Sequence, residues 1–196
     1  MWKFAEVDKG KVVPNTNSAT HTVCDAFVSV VRQTPPGRMT VLAAVAESKS
    51  LMGKPRERVL RAVRFSKEDA AATAAFAAGQ VATLYERTSP DDDRLWQAIS
   101  AARNGELTAL QALDPESLTP SKPRQANDAA AYAAESARAA VLAAMAPDAG
   151  IALQATGYAI AYAIQAADKV DAEPDVTSAI EKWLLTRQGN LETVRT

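Results

Sequence analysis

Apolar and polar residues alternate at the start of the chain, then fall at three- and four-residue spacing through most of its remaining length. Trp2-Lys3-Phe4-Ala5-Glu6-Val7 alternates, Asp8-Lys9-Gly10 is turn chemistry, and Lys11-Val12-Val13 resumes the extended pattern before Pro14. This predicts a small β-hairpin or extended appendage within residues 1–17, stable only if it packs on the rest of the chain. Helical spacing begins at 18–33, where Val23, Phe27, Val30 and Val31 share a face, and Thr34-Pro35-Pro36-Gly37 ends that helix. Helices are predicted at 40–48 and, opened by Pro55, at 55–64, with Val59, Leu60 and Val63 as a narrow apolar stripe.

The remaining starts and stops are written in capping chemistry. Ser66-Lys67-Glu68-Asp69 is a capping-box pattern that opens a long helix, carried to 87. Ser89 is placed as the next N-cap, Pro90 at the first helical position, and Asp92 where a capping carboxylate reaches back; Asp91 and Asp93 add charge facing the helix dipole. That helix runs through Arg94 to Asn104, and Gly105 is the left-handed residue that stops it. A short helix over 107–113 precedes a loop through Asp114-Pro115, Thr119-Pro120 and Lys122-Pro123, read as a crossing connection over the surface.

Two alanine-rich helices are predicted at 124–145 and 148–169, joined by Ala146-Pro147. The first keeps a polar side through Asp128, Glu135 and Arg138. In the second, Ile151, Leu153, Tyr158, Ile160, Tyr162 and Ile164 surround the helix, the mark of a central element. Alanine and glycine between them let neighbouring backbones approach closely. A last helix, 176–188, carries Ile180, Trp183, Leu184 and Leu185, and Gly189-Asn190 stops it. The expected fold is therefore all-α: one domain over 1–196, a multi-helix bundle with a central alanine-rich helix pair and a small N-terminal hairpin.

Composition agrees. Alanine, the strongest helix former, makes up about a fifth of the chain. The 22 basic and 23 acidic residues leave a net charge of −1, so bulk charge gives no argument for nucleic acid or an anionic membrane. Cys24 is the only cysteine, which excludes an intrachain disulfide, and no basic-then-apolar leader opens the chain, so a cytoplasmic location is expected. Gln154, Thr156, Gln165 and the charge beyond them argue against a membrane span over the second alanine-rich helix.

Candidate chemistry is sparse. His21, Cys24 and Asp25 can share one helical face, but they are too few ligands for zinc and lack an oxyanion site, so a packed thiol beside a polar histidine is the better reading. Asp91, Asp92 and Asp93 point in successive directions on a helix and cannot converge on one ion; capping and pairing with Arg94 or Arg103 is expected. Arg56, Arg58, Arg61 and Arg64 crowd one short predicted helix and are either a solvated face partly neutralised by Glu57, Glu68 and Asp69 or the partner-binding residues, toward an acidic protein or an anionic ligand. Tyr158 and Tyr162, one turn apart, line either the core or a ligand cavity. No phosphate loop, Gly-x-Ser-x-Gly turn or His-Glu-x-x-His pair is present, so no enzyme activity and no cofactor or metal is expected.

The segment from Leu84-Tyr85-Glu86 to Arg103, with its Pro-Asp-Asp-Asp-Arg start and Ala-Ile-Ser-Ala-Ala-Arg continuation, resembles the alanine-rich immunity proteins of bacterial polymorphic toxin systems. The likeness continues through 129–146 and 152–167, and so covers about the C-terminal half, although this chain lacks histidine in its alanine-rich helices. The resemblance implies a cytosolic helical protein that binds another protein. The expected function is an inhibitor, either an antidote to a toxin or a phage-encoded blocker of a bacterial defence system. The alternative is a helical protein that binds a small molecule or nucleotide in a cavity between the alanine-rich helices.

Overall fold

The computed structural model describes residues 2–8, 11–14, 31, 40–49, 55–112, 118, 129–188 and 192–194. It is a helical bundle built on an alanine-rich helix pair, with a five-stranded antiparallel sheet beside it.

The predicted hairpin is present as β1 (Trp2–Asp8) and β2 (Lys11–Pro14), paired antiparallel with Val7 opposite Val12. The sheet extends well beyond it. Residues 40–48 and 55–64, expected as helices, instead form β3 (Val41–Lys49) and β4 (Pro55–Arg64), and β5 (Glu192–Val194) closes the order β2-β1-β3-β4-β5. The helical signal in β4 has a specific origin. Val45 pairs with Val59 but Ala44 pairs with Arg61, which leaves Leu60 as the extra residue of a β-bulge. The bulge adds one residue between Arg58 and Arg61, which stand three apart yet opposite the alternate partners Ala46 and Ala44, and with Arg64 three further on they imitate the spacing of one helical face. In β3, the alanines at 43, 44 and 46 carry helix propensity that long-range pairing overrides.

The sheet is curled, with β2 approaching β4. Ala5, Val41, Ala43, Val45 and Ala62 form a small core of their own, with Val12 and Val59 packed against it. Because side chains alternate across a strand, the intervening positions Phe4, Leu42 and Val63 face the other way and, with Phe65, join the core of the bundle. Val31 is helical and fully buried in that core; the rest of the predicted 18–33 helix lies outside the described residues, as does the 113–123 loop apart from the buried Leu118.

Beyond β4 the described residues form seven helices: α1 (Lys67–Gly79), α2 (Ala82–Glu86), α3 (Arg94–Asn104), α4 (Leu107–Ala112), α5 (Ala129–Met145), α6 (Ala149–Asp168) and α7 (Glu173–Gln188). The capping box at α1 forms as expected: Asp69 N–H donates to Ser66 Oγ at 3.1 Å, and Ser66 N–H donates to Asp69 Oδ2 at 3.4 Å. The expected continuous helix to 87 is instead broken after Gly79, where Gln80 and Val81 turn the chain into α2.

α1, α5 and α6 pack on one another through alanines with no accessible surface, among them Ala74, Ala137, Ala140, Ala159 and Ala163. Their close approach brings hydroxyls on one helix to carbonyls on the next. Ser136 Oγ donates to Ala159 O at 2.7 Å, and Thr156 Oγ1 donates to Ala70 O at 2.9 Å and Ala152 O at 2.8 Å. These polar groups are buried yet satisfied, as a low-dielectric core requires. Among the described residues no helix is long and apolar enough to cross a membrane.

Candidate functional site

The four arginines expected to grip a partner do not share a helical face. Arg56 and Arg58 occupy β4 register positions opposite Ser48 and Ala46, Arg61 stands opposite Ala44, and Arg64 stands opposite Val41. Arg61 and Arg64, three apart on a strand, therefore lie on opposite faces of the sheet, and both are half-buried. A single cationic patch built from all four is ruled out by strand alternation. Leu60, by contrast, stands out from this strand at the bulge, 60% accessible.

The Asp-Asp-Asp-Arg segment is a clasp between helices rather than a helix cap. Ser89 is not the N-cap of α3: its carbonyl accepts Asp92 N–H at 3.1 Å in a turn, its own N–H donates to Tyr85 O at 3.0 Å, and α3 begins only at Arg94. Asp93 occupies the N-cap position without a side-chain cap bond; its Oδ2 accepts from Gln97 Nε2 at 2.7 Å. The hub is Asp92. It receives Arg94 Nε at 2.8 Å, Arg94 Nη2 at 2.6 Å, Arg94 N–H at 3.2 Å and, from the end of α2, Tyr85 OH at 2.7 Å. Hydrogen bonds from Arg94 hold the Asp92 carboxyl well below the usual carboxylate range, against the opposing effect of burial, and the Tyr85 hydroxyl adds to the lowering. Burial, followed by the hydrogen bond and charge of Asp92, pushes Tyr85 up to about 12. Trp96 Nε1 donates to Glu86 Oε1 and fastens the same two helices a second time. Asp91 and Asp93 are exposed outside this hub, and among the described residues no group of acids, histidines or cysteines could hold a metal ion. His21, Cys24 and Asp25 lie outside the described residues.

Tyr158 and Tyr162 are brought together on the outer face of the α5/α6 pair. α6 is central on one side only: Ala159 and Ile160 are fully buried, while Tyr158 is 51% exposed. With Glu135, Arg138, Ala139, Leu142 and Ala155, the two tyrosines line a shallow groove of about 160 Å³. Leu142, at 49% exposure, and Met145 extend the apolar surface toward the turn between the helices. At the other end Arg138 Nε lies 3.3 Å from Glu135 Oε2, and Tyr132 stacks on Tyr162 with ring centroids 6.4 Å apart. Large residues thus stand on the rims, small ones form the floor, and one ion pair marks an end. Leu142 and Met145 escape a sequence reading that looks for functional chemistry, although with Glu135 and Arg138 they follow three- and four-residue steps along one helical face.

A larger cleft of about 420 Å³ lies between α1, α3 and α5, lined by Lys67, Glu68, Ala71, Ala102, Arg103, Leu107 and Ala144 among others. Its cations do not converge. The Arg103 guanidinium reaches Gly79, where Nη2 lies 3.4 Å from the position a Cβ would take, and Lys67 opens the same helix roughly 18 Å away along its axis. Volume alone therefore does not make this cleft a nucleotide or anion site. On the opposite side of α1, Trp183 stacks on Phe76 at 4.3 Å and Arg187 lies over Trp183 while pairing with Asp69 at 2.9 Å. Trp183 Nε1 and Arg187 Nε are buried there without acceptors, but neither offers surface for a ligand to reach. No family model matches the chain, and no curated protein or solved structure matches it.

Proposed function

We propose that this chain is a protein-binding inhibitor of the immunity type, docking its target through the outer face of α5 and α6. The observation that carries the reading is the exposure of Leu142 and Tyr158 around an alanine-floored groove, with Met145 exposed three residues further along α5, on an otherwise well-buried helix pair. An exposed apolar patch of aromatic and long aliphatic residues, closed by a polar pair, has the composition of a docking surface. The two helices that form this face are also those through which the resemblance to alanine-rich immunity proteins runs. A toxin or a component of a bacterial defence system is the partner class this implies, in the cytoplasm.

Tagged wild type, a Leu142→Glu/Tyr158→Glu variant and an Arg58→Glu/Arg61→Glu variant are to be compared for capture of a partner from the native host and for protection of cells expressing that partner. Capture and protection are expected to be lost in the α5/α6 variant and kept in the strand variant, with far-UV circular dichroism unchanged in both. A partner held equally by the α5/α6 variant, or no capture by wild type, overturns the proposal.

A further inference from the structure

We infer that the sheet carries a second site, independent of the α5/α6 face: a groove for the backbone of a single-stranded polynucleotide, with Arg56, Arg58 and Arg61 as its phosphate row and Trp2 as the platform for a base. Strand register carries the inference. Arg56 stands opposite Ser48, Arg58 opposite Ala46 and Arg61 opposite Ala44, and directly opposed residues of an antiparallel pair share a face. Plain alternation would send Arg61 to the other face from Arg58. The extra residue Leu60 brings it back, and Val59 before the bulge and Ala62 after it both pack in the small core on the far side of the sheet. The three arginines therefore keep step with alternate residues of β3 at intervals of about 6–7 Å, of the order of the separation between successive phosphates of an extended single strand. Charge is sorted by face: Glu47 and Glu57 oppose one another on the far side, where Arg64 also lies, and no acidic residue of β3 or β4 falls on the side of the row. The net charge of −1 hides this separation.

Trp2 pairs with Ala44, so Trp2, Ala44 and Arg61 stand abreast on three neighbouring strands, the tryptophan about 10 Å across the sheet from the row. Ala44, Ala46 and Ser48 keep the strip between them low. The cover of the bundle ends where the row begins: Leu42 is fully buried on this face, whereas Ala44 and Arg61 are half-buried. An acidic peptide also presents anions at strand spacing, but it has no base to lay on the indole.

Fluorescence anisotropy with a labelled oligothymidylate and a labelled oligouridylate of about a dozen nucleotides, read at several salt concentrations, tests the site. Three phosphate contacts predict that log Kd rises with log salt at a slope of about 2, and Arg56→Gln, Arg58→Gln and Arg61→Gln are each expected to lower that slope by about 0.7. Arg64→Gln, on the other face, is expected to leave slope and affinity unchanged. Trp2→Ala is expected to weaken binding about 5- to 150-fold with the slope unchanged, because stacking releases no counterions, and Trp2→Phe to recover part of the loss. In a Trp96→Phe/Trp183→Phe background the oligonucleotide is expected to quench Trp2 fluorescence, a readout that stands where Trp2→Ala fails to fold. Binding of either strand supports the inference, and the tighter one names the sugar; binding of neither overturns it. Slopes lowered equally by Arg58→Gln and Arg64→Gln overturn it too. Displacement of the oligonucleotide by polyglutamate at equal charge, with Trp2 fluorescence unmoved by the oligonucleotide, identifies an acidic protein as the occupant and likewise overturns the inference.

Discussion

At the scale of single residues, the Asp92 carboxylate shows how one side chain can bind two helices and set a pH window. Asp92 is held below its ordinary value of 3.8, so the stability it contributes is present above that pH and is lost as the medium becomes more acid. Tyr85 is raised from 10.0 to about 12, so its contribution is complete below pH 10 and disappears as pH climbs through about 12. Replacing Tyr85 with Phe is expected to cost about 1 kcal/mol at neutral pH, since Asp92 keeps Arg94 but loses one donor. The difference in phenolate absorbance between wild type and Tyr85→Phe should titrate at about 12, and a midpoint at 10 contradicts the clasp. Two glycines near helix ends should respond in opposite directions. Gly105 ends α3 at φ 68° with nothing within 4 Å, so Gly105→Ala is expected to destabilise by about 1 kcal/mol through backbone strain alone. Gly79 sits in the last turn of α1, where a new Cβ meets only the flexible end of Arg103, so Gly79→Ala should gain roughly 0.5–1 kcal/mol. Urea unfolding of both variants checks the pair of signs.

At the scale of elements, the stability of the bundle rests on the absence of side-chain bulk between α1, α5 and α6. Ala159 is fully buried and its carbonyl accepts the Ser136 hydroxyl at 2.7 Å, so the two backbones have no room for a larger residue between them. Ala159→Leu is expected to destabilise by about 1–3 kcal/mol through overpacking, measured as a fall in the denaturation midpoint without a change in slope. Thr156→Val keeps the shape but removes the donor shared by α1 and α6, and a loss of about 1 kcal/mol is expected. A larger effect for Thr156→Val than for Ala159→Leu would mean that polar ties, and not close packing, set the helix spacing. The strands behave differently. Strand alternation beyond the bulge puts Arg61 and Arg64 on different faces, so the arginines that look like a stripe in the sequence are divided between the two faces of the sheet.

At the scale of the whole molecule, sheet and bundle are joined through Phe4, Leu42, Val63 and Phe65, which belong to the bundle's core although three of them lie in strands. Leu42 has no accessible surface, and Leu42→Ala is expected to cost about 2–5 kcal/mol and, in a Trp96→Phe/Trp183→Phe background that leaves Trp2 of β1 as the fluorophore, to lower the melting of helix and of tryptophan fluorescence together. Separate transitions for the two signals would show that the sheet folds as an independent unit. The helices α3, α5 and α6, the capping box at Ser66, the left-handed stop at Gly105 and the β1–β2 hairpin are all legible in the sequence, because each is written in local chemistry: alanine propensity, caps, turn residues and the period of the apolar positions. Whether 41–49 and 55–64 coil or extend is decided by pairing partners distant in the chain, and the bulge removes the alternation that would betray a strand. The candidate site divides in the same way. Tyr158 and Tyr162 are readable as one face of a helix, since spacing on a helix is local. That this face looks out, with Leu142 and Met145 beside it, comes only from α1 and α7 packing against the other sides of α6, a choice made by the competition among several apolar faces for one interior.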